Sequence, residues 1–140
     1  MGRDAIQAAE KLIESHFEDL LATVDATIAE LEQRFGASSP DGSAGDYDGL
    51  YLLASRIIDV AVCLRGGFVD KAAYALCELA DQSSVLKVWD RQAVEIHIMV
   101  IRLLRQSGPE MPEARRRGLV EGLFKVTAKR IGEQPAGGVQ

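Results

Sequence analysis

Long apolar runs and cysteines are scarce in this 140-residue chain, and each scarcity excludes a class of protein. No apolar run approaches the roughly 20 residues that a membrane-spanning helix requires. Two cysteines, Cys63 and Cys77, are too few for a disulfide scaffold or a structural zinc site. The first residues also lack the apolar segment of a secretory signal peptide. We therefore expect a soluble, cytoplasmic protein with no membrane partner.

Residues with catalytic or metal-binding chemistry are also few. The only two histidines, His16 and His97, belong to no metal-ligand spacing such as HExxH. Neither combines convincingly with a serine or cysteine into a nucleophilic set, so a structural or surface role is favoured for both. No glycine-rich phosphate loop follows a strand. The sequence therefore predicts a protein that is not an enzyme and that binds no metal or cofactor.

Negative charge is concentrated in the first third of the chain. Residues 1–48 carry three basic and eleven acidic groups, whereas residues 91–140 carry nine basic and five acidic groups. This distribution argues against nucleic-acid binding, which needs a basic surface. The only basic run is residues 115–117, three arginines. We interpret the run as the solvated start of a helix, and a contact with an acidic partner is the alternative.

Apolar residues make up 47% of the chain and recur at helical spacing, without strand alternation. This pattern predicts an all-α fold, namely an up-and-down helical bundle of four core helices plus a C-terminal helix. The bundle is expected to form a single domain over residues 1–134, followed by a disordered tail at 135–140. The predicted helices span residues 4–35, 46–65, 69–82, 90–106 and 112–131.

The first predicted helix is unusually long. Asp4 is its candidate N-cap, and Gly36 supplies the C-terminal stop. A helix of this length can bury its apolar side only by lying along a bundle or against a second subunit. The apolar stripe comprises Ile6, Leu12, Ile13, Phe17, Leu20, Val24, Ile28, Leu31 and Phe35.

The segment from residue 50 to residue 64 is the most informative part of the chain, because it is apolar almost all round. A helix of this kind is buried on more than one side. Either the fifth helix covers its outer side, or the outer side is an interface, and the sequence leaves both possibilities open. The inner side holds Leu50, Leu53, Ala54, Ile57, Ala61 and Leu64, and the outer side holds Tyr51, Leu52, Ser55, Ile58, Asp59 and Val62.

Four short segments carry a family resemblance. They are ASRIID at residues 54–59, GGF at 66–68, ALCEL at 75–79 and VEIHIMVIRLL at 94–104. Together they resemble the AHDIRG, glycine–phenylalanine, SLC and VHVDALRL stretches of an Hpt-like (histidine phosphotransfer) branch found in bacterial chemotaxis clusters. The resemblance implies a helical bundle that acts in two-component or chemotaxis signalling.

Three departures from that family concern its activity. The family's phosphoacceptor histidine aligns with Ser55, its basic residue one turn later with Ile58, and its glycine with Asp59. Serine offers no imidazole nitrogen as the nucleophile for phosphoryl transfer. Asp59 would repel a phosphoryl group, and its side chain adds bulk where the family has glycine. The resemblance therefore implies a module that does not relay phosphate by the usual route.

We predict a non-catalytic Hpt-like module that binds a response-regulator receiver domain or a histidine kinase. The alternative is a homodimer with a structural or scaffolding role and no phosphorelay partner, formed through the same face or through the long first helix. The predicted contacts for a partner are Tyr51, Leu52, Ser55, Arg56, Asp59 and Val62.

Overall fold

The computed structural model describes residues 2–61 and 67–132, which form five α-helices and one short 3-10 turn. No β-strand occurs within these two ranges, so the all-α prediction is confirmed for them. The predicted tail at 135–140 and the end of the second helix, residues 62–65, lie outside the described residues. The elements are α1 (Arg3–Phe35), α2 (Tyr47–Ala61), α3 (Val69–Leu86), α4 (Arg91–Ser107), the 3-10 turn (Gly108–Glu110) and α5 (Glu113–Gly132).

The two ends of α1 differ in how well the sequence predicted them. The helix ends at Gly36, as predicted, and the Gly36 N–H donates to the Glu32 carbonyl over 3.0 Å. At the other end the prediction of Asp4 as the N-cap is wrong, because Gly2 occupies that position and has no side chain that could form a capping hydrogen bond. Asp4 instead lies in the first turn, where its negative charge is favourable to the helix dipole.

Helix α3 extends one turn beyond its predicted end at residue 82. Ser83 belongs to the helix and is buried, because it lies one turn beyond Leu79 on the side that faces the core. The helix closes at Lys87, whose left-handed backbone (φ 57°) directs its N–H to the Ser84 carbonyl over 3.4 Å. Ser83 and Ser84 suggested that a connecting segment begins at residue 83. Burial of Ser83 against the core outweighs the weak helix propensity of serine.

Two arginine–carboxylate pairs join α1 to α4. Arg102 donates two hydrogen bonds to Glu32, and Arg105 donates two to Asp25, with N–O distances between 2.7 and 3.2 Å. The residue numbers of the partners rise along α1 as they fall along α4, so these two helices run antiparallel. Near Asp25, α1 therefore lies beside the C-terminal end of α4.

Helix α5 packs against α3 and α4. It contributes Val120, Leu123 and Thr127 to the buried interior. Its C-terminal part is held to the start of α4, where Arg130 Nε lies 2.6 Å from Asp90 Oδ2. This hydrogen bond and the charge of Arg130 hold the pKa of the Asp90 carboxyl below its usual value.

Candidate partner-binding face on the second helix

Helix α2 has one fully buried side and one open side. The open side, here called the α2 face, includes Tyr51 and Leu52, whose side chains are 47% and 54% exposed. Arg56 and Asp59 are also exposed, and Ser55 is half-buried. Val62, the sixth predicted contact, lies outside the described residues. The buried side consists of Leu50, Leu53, Ala54, Ile57 and Ala61, each 1% exposed or less.

The fifth helix does not cover the α2 face. Because α5 lies against α3 and α4, Tyr51 and Leu52 remain open. Of the two possibilities that the sequence left open, burial of this face by α5 is therefore excluded for the described residues. The α2 face therefore exposes two large apolar side chains that no other part of the described chain covers.

The Ser55 hydroxyl is engaged within its own helix. Its Oγ donates to the Leu52 carbonyl over 3.0 Å, the usual bond of a serine to the preceding turn. The proton therefore goes to a backbone carbonyl, which does not act as a general base. A nucleophilic serine needs a base that takes this proton, and this hydrogen bond provides none.

Helix α3 supplies the second wall of this surface. Tyr74 is 54% exposed, and it lines an open pocket of about 260 Å³ together with Tyr51, Cys77, Glu78 and Asp81. The sequence analysis did not include these α3 residues in the site. Their spacing of three or four residues places them on one helix face and could have suggested a shared surface, but not which helix lies beside it.

The pocket is acidic. Burial, with smaller contributions from the negative charges of Asp59 and Glu78, raises the pKa of the Cys77 thiol to about 11. The thiol is therefore neutral near pH 7, and it makes only a weak contact with the Tyr51 carbonyl, at 3.9 Å. Asp81 adds a third carboxylate, against the single cation of Arg56 on the α2 face.

The two histidines lie away from this face. His97 is fully buried in α4, and burial lowers its pKa to about 4. Its Nδ1 lies 2.7 Å from the Ala93 carbonyl, which can only accept, so Nδ1 carries the proton. His16 is exposed on the N-terminal half of α1. The prediction of structural and surface histidines agrees with these positions.

Comparisons with protein-family models, with curated proteins and with solved structures found no match to this chain. Among residues 2–61 and 67–132, no cluster of three or more histidine, cysteine, aspartate or glutamate side chains is arranged to hold a metal ion. Within the same ranges, none of the helices combines the length and apolar character needed to cross a membrane.

Proposed function

We propose that this protein is a non-catalytic Hpt-like signalling module that binds a receiver domain or a histidine kinase through its α2 face. The proposed architecture is an up-and-down bundle of four helices, α1 to α4, with α5 added on the outside. The antiparallel pairing of α1 with α4 supports this architecture, and the resemblance in residues 54–104 supports the assignment to two-component or chemotaxis signalling.

The exposure of Tyr51 and Leu52 beside Ser55 is the observation that carries the proposal. Ser55 aligns with the phosphoacceptor of the family that the chain resembles, so the surface that would present a phosphoryl group is here an open apolar and aromatic patch. A patch of this composition favours binding, because aromatic side chains bury a large area on contact. Binding without transfer would sequester a receiver or compete with a working phosphotransfer protein.

The charges around the patch indicate what kind of surface a partner presents. Asp59, Glu78 and Asp81 give the rim a negative potential, which repels a phosphorylated group and attracts a basic surface. We therefore expect the partner to place an apolar side chain near Leu52 and basic side chains near the three carboxylates.

A structural homodimer through the same face is the second candidate, and the same charges disfavour it. A two-fold axis through the α2 face would bring two copies of the Asp59, Glu78 and Asp81 rim together. Like charges placed close together in an interface oppose association. A partner with a basic surface would pair with the three carboxylates, whereas a second copy would bring further negative charge to them.

The direct test is calorimetric titration of the full chain with the receiver domains and histidine kinases encoded in its genomic neighbourhood. We expect saturable binding to one of them, with at least tenfold weaker binding for Leu52→Asp. Met99→Asp is the matched control, because Met99 is equally apolar and 63% exposed but lies on α4. The Met99→Asp variant should bind as the unmodified chain does.

Two outcomes of this titration would contradict the proposal. The first is no binding to any receiver or kinase by a chain that is folded. The second is equal weakening by Leu52→Asp and Met99→Asp, which would place the contact elsewhere.

A charge-reversal variant tests the role of the acidic residues around the patch. Changing Asp59→Lys and Asp81→Lys should weaken binding and reduce its salt dependence, because the complementary charge is lost.

A further inference from the structure

The N-terminal part of α1 projects beyond the rest of the bundle. Residues 3–23, here called the overhang, precede Val24, which is the first buried residue of the helix. Ile6 is 55% exposed, Ile13 is 70% exposed and Phe17 is 39% exposed. At 1.5 Å per residue the overhang is about 32 Å long, comparable to the diameter of a small domain.

The exposed apolar side of the overhang continues the side of α1 that faces the core. Ile6, Ile13 and Leu20 are seven residues apart, and so are Phe17, Val24 and Leu31. Val24 and Leu31 are buried. Residues at this spacing share one helix face, and their repetition is typical of a helix that packs along another helix. The overhang therefore has the sequence of a packed helix and lacks a partner within the described residues of one chain.

The charge of the overhang is negative. It carries two basic residues, Arg3 and Lys11, against five acidic ones, so its net charge is −3 (2 − 5). The acidic residues are Asp4, Glu10, Glu14, Glu18 and Asp19.

The end of the bundle from which the overhang projects carries a cluster of cations. The pair between Arg105 and Asp25 places the C-terminal end of α4 at this level. The chain then turns into α5, whose Arg116 returns to donate a hydrogen bond to the Gly108 carbonyl over 3.4 Å. The start of α5 therefore lies at the same end of the bundle as the overhang.

Phe68 is the centre of this basic cluster. Lys71 Nζ lies 4.9 Å from the centre of its ring, and the guanidinium carbons of Arg116 and Arg117 lie 5.6 and 6.0 Å away. Arg115 is exposed beside them. Glu113, 3.4 Å from Arg117, offsets one of these cations. Three cations around one ring gain cation–π stabilisation but repel each other, so a further acidic partner is favoured at this end.

We propose that the overhang pairs with the overhang of a second copy of this chain, antiparallel, with the two-fold axis near Ile13. Ile13 lies midway between Ile6 and Leu20, so antiparallel pairing brings the apolar stripes of both copies into contact over their full length. It also carries each acidic overhang towards the cations around Phe68 of the partner. Parallel pairing would instead set each acidic residue opposite its own copy.

The area available explains why both contacts are needed. A helix about 10 Å wide and about 30 Å long offers a contact strip of roughly 300 Å². A standard interface buries about 800 Å² of accessible surface on each partner. The helix pair alone is small, and the contact between the acidic overhang and the basic end of the partner's bundle enlarges it.

This dimer is formed at the end of the bundle that carries Phe68, and Tyr51 and Leu52 lie in the first half of α2, away from that end. The proposal therefore does not depend on the function proposed above and would stand if no receiver or kinase binds. If both hold, one dimer presents two partner-binding faces.

The test is the molar mass of the full chain in solution, by analytical ultracentrifugation over a hundredfold range of concentration. We expect a reversible dimer, and at least a tenfold increase in its dissociation constant for Ile13→Glu with Phe17→Glu. Leu12→Glu is the matched control: the sequence pattern counted Leu12 in the apolar stripe, but this residue is 72% exposed and lies about 100° around the helix from Ile13. At a concentration where all three proteins are monomeric, the thermal transition of the bundle should be the same in each, because these side chains lie before Val24.

Cysteine crosslinking distinguishes the direction of pairing, in a Cys63→Ser, Cys77→Ala background. An Ile6→Cys chain mixed with a Leu20→Cys chain should form a mixed disulfide, whereas Ile6→Cys alone should not crosslink. A chain that stays monomeric, a dimer that tolerates the Ile13 and Phe17 changes, or a disulfide between two Ile6→Cys chains would each overturn the proposal.

The charge contact has its own measurement. Arg115→Glu with Arg117→Glu should weaken the dimer severalfold, because both cations lie at the end of the bundle that the partner's overhang reaches. Lys125→Glu with Lys129→Glu changes the same net charge further along α5 and should leave the dissociation constant unchanged. Equal effects of the two pairs would contradict the antiparallel arrangement.

Discussion

Thr127 Oγ1 of α5 lies 3.3 Å from Nε2 of His97 in α4, and both side chains are buried. Because Nδ1–H of His97 donates to the Ala93 carbonyl, Nε2 is the acceptor and the Thr127 hydroxyl is the donor. The imidazole is thus satisfied only in its neutral form. The hydrogen bond between Thr127 and His97 joins α5 to the core of the bundle. It forms with the neutral imidazole, and burial disfavours protonation of that ring.

We expect stability to fall as the pH is lowered from about 6.5 to about 4. The pKa of His97 is lowered from its usual 6.5 to about 4 by burial, so the unfolded chain binds a proton in this window while the folded chain does not. The stabilisation is complete above pH 6.5, and its loss amounts to roughly 3 kcal/mol. Urea unfolding at pH 7.0 and 4.5 measures it. A His97→Gln variant should show a smaller decrease, and an equal decrease would show that other groups are responsible.

The ion pairs between α1 and α4 should contribute little to stability compared with the core. Asp25 is 46% exposed and Arg105 is 26% exposed, so solvent screens the pair. We expect Arg105→Gln to lower the free energy of unfolding by about 0.5 to 1 kcal/mol. Leu31→Ala, at a position with no exposure, should lower it by about 2 to 5 kcal/mol. Denaturant titration compares the two variants, and equal losses would mean that the pairs are more strongly coupled than their exposure implies.

Introducing a histidine at position 55 should not create a phosphoacceptor. In Ser55→His the neighbouring Ile58 and Asp59 remain, so the family's basic residue one turn later is still missing and a carboxylate repels the phosphoryl group. We expect no labelling when this variant is incubated with a phosphorylated receiver. The variant with Ser55→His, Ile58→Arg and Asp59→Gly is the matched comparison, and measurable labelling of it is expected. Efficient labelling of the single variant would show that positions 58 and 59 matter less than proposed.

Cys77 should react slowly with thiol reagents. Its pKa of about 11 leaves less than one thousandth of the thiol as thiolate at pH 7.5, and only the thiolate is nucleophilic. In a Cys63→Ser background, mass spectrometry with iodoacetamide should show much slower modification of the folded than of the unfolded chain. Asp59→Asn with Glu78→Gln should speed the reaction, because removing two negative charges lowers the pKa. No change in rate would show that burial alone controls the thiol.

The sequence by itself determined where most helices begin and end and which side of α2 is inward. Gly36 ends α1, the fourth helix begins at the predicted Asp90, which accepts from the Ala93 N–H over 3.1 Å, and the described part of the inner stripe of α2, from Leu50 to Ala61, is buried as its spacing predicts. These features depend on a few neighbouring residues, so local periodicity and capping are sufficient to predict them. The exposed outer residues of α2 were identified by the same reasoning, from the spacing that placed Tyr51 and Leu52 opposite the core.

Tertiary structure decided what lies against each helix. Periodicity predicted one apolar stripe along all of α1, but the fold covers it only from Val24 onwards and leaves Ile13 exposed. The fold also places α5 against α3 and α4, and it brings Tyr74 beside Tyr51. No local sequence pattern indicates that these two tyrosines are neighbours. The physical reason is that hydrophobic spacing specifies which face of a helix must be buried, whereas packing between distant parts of the chain determines which surface, in the same molecule or in another, buries it.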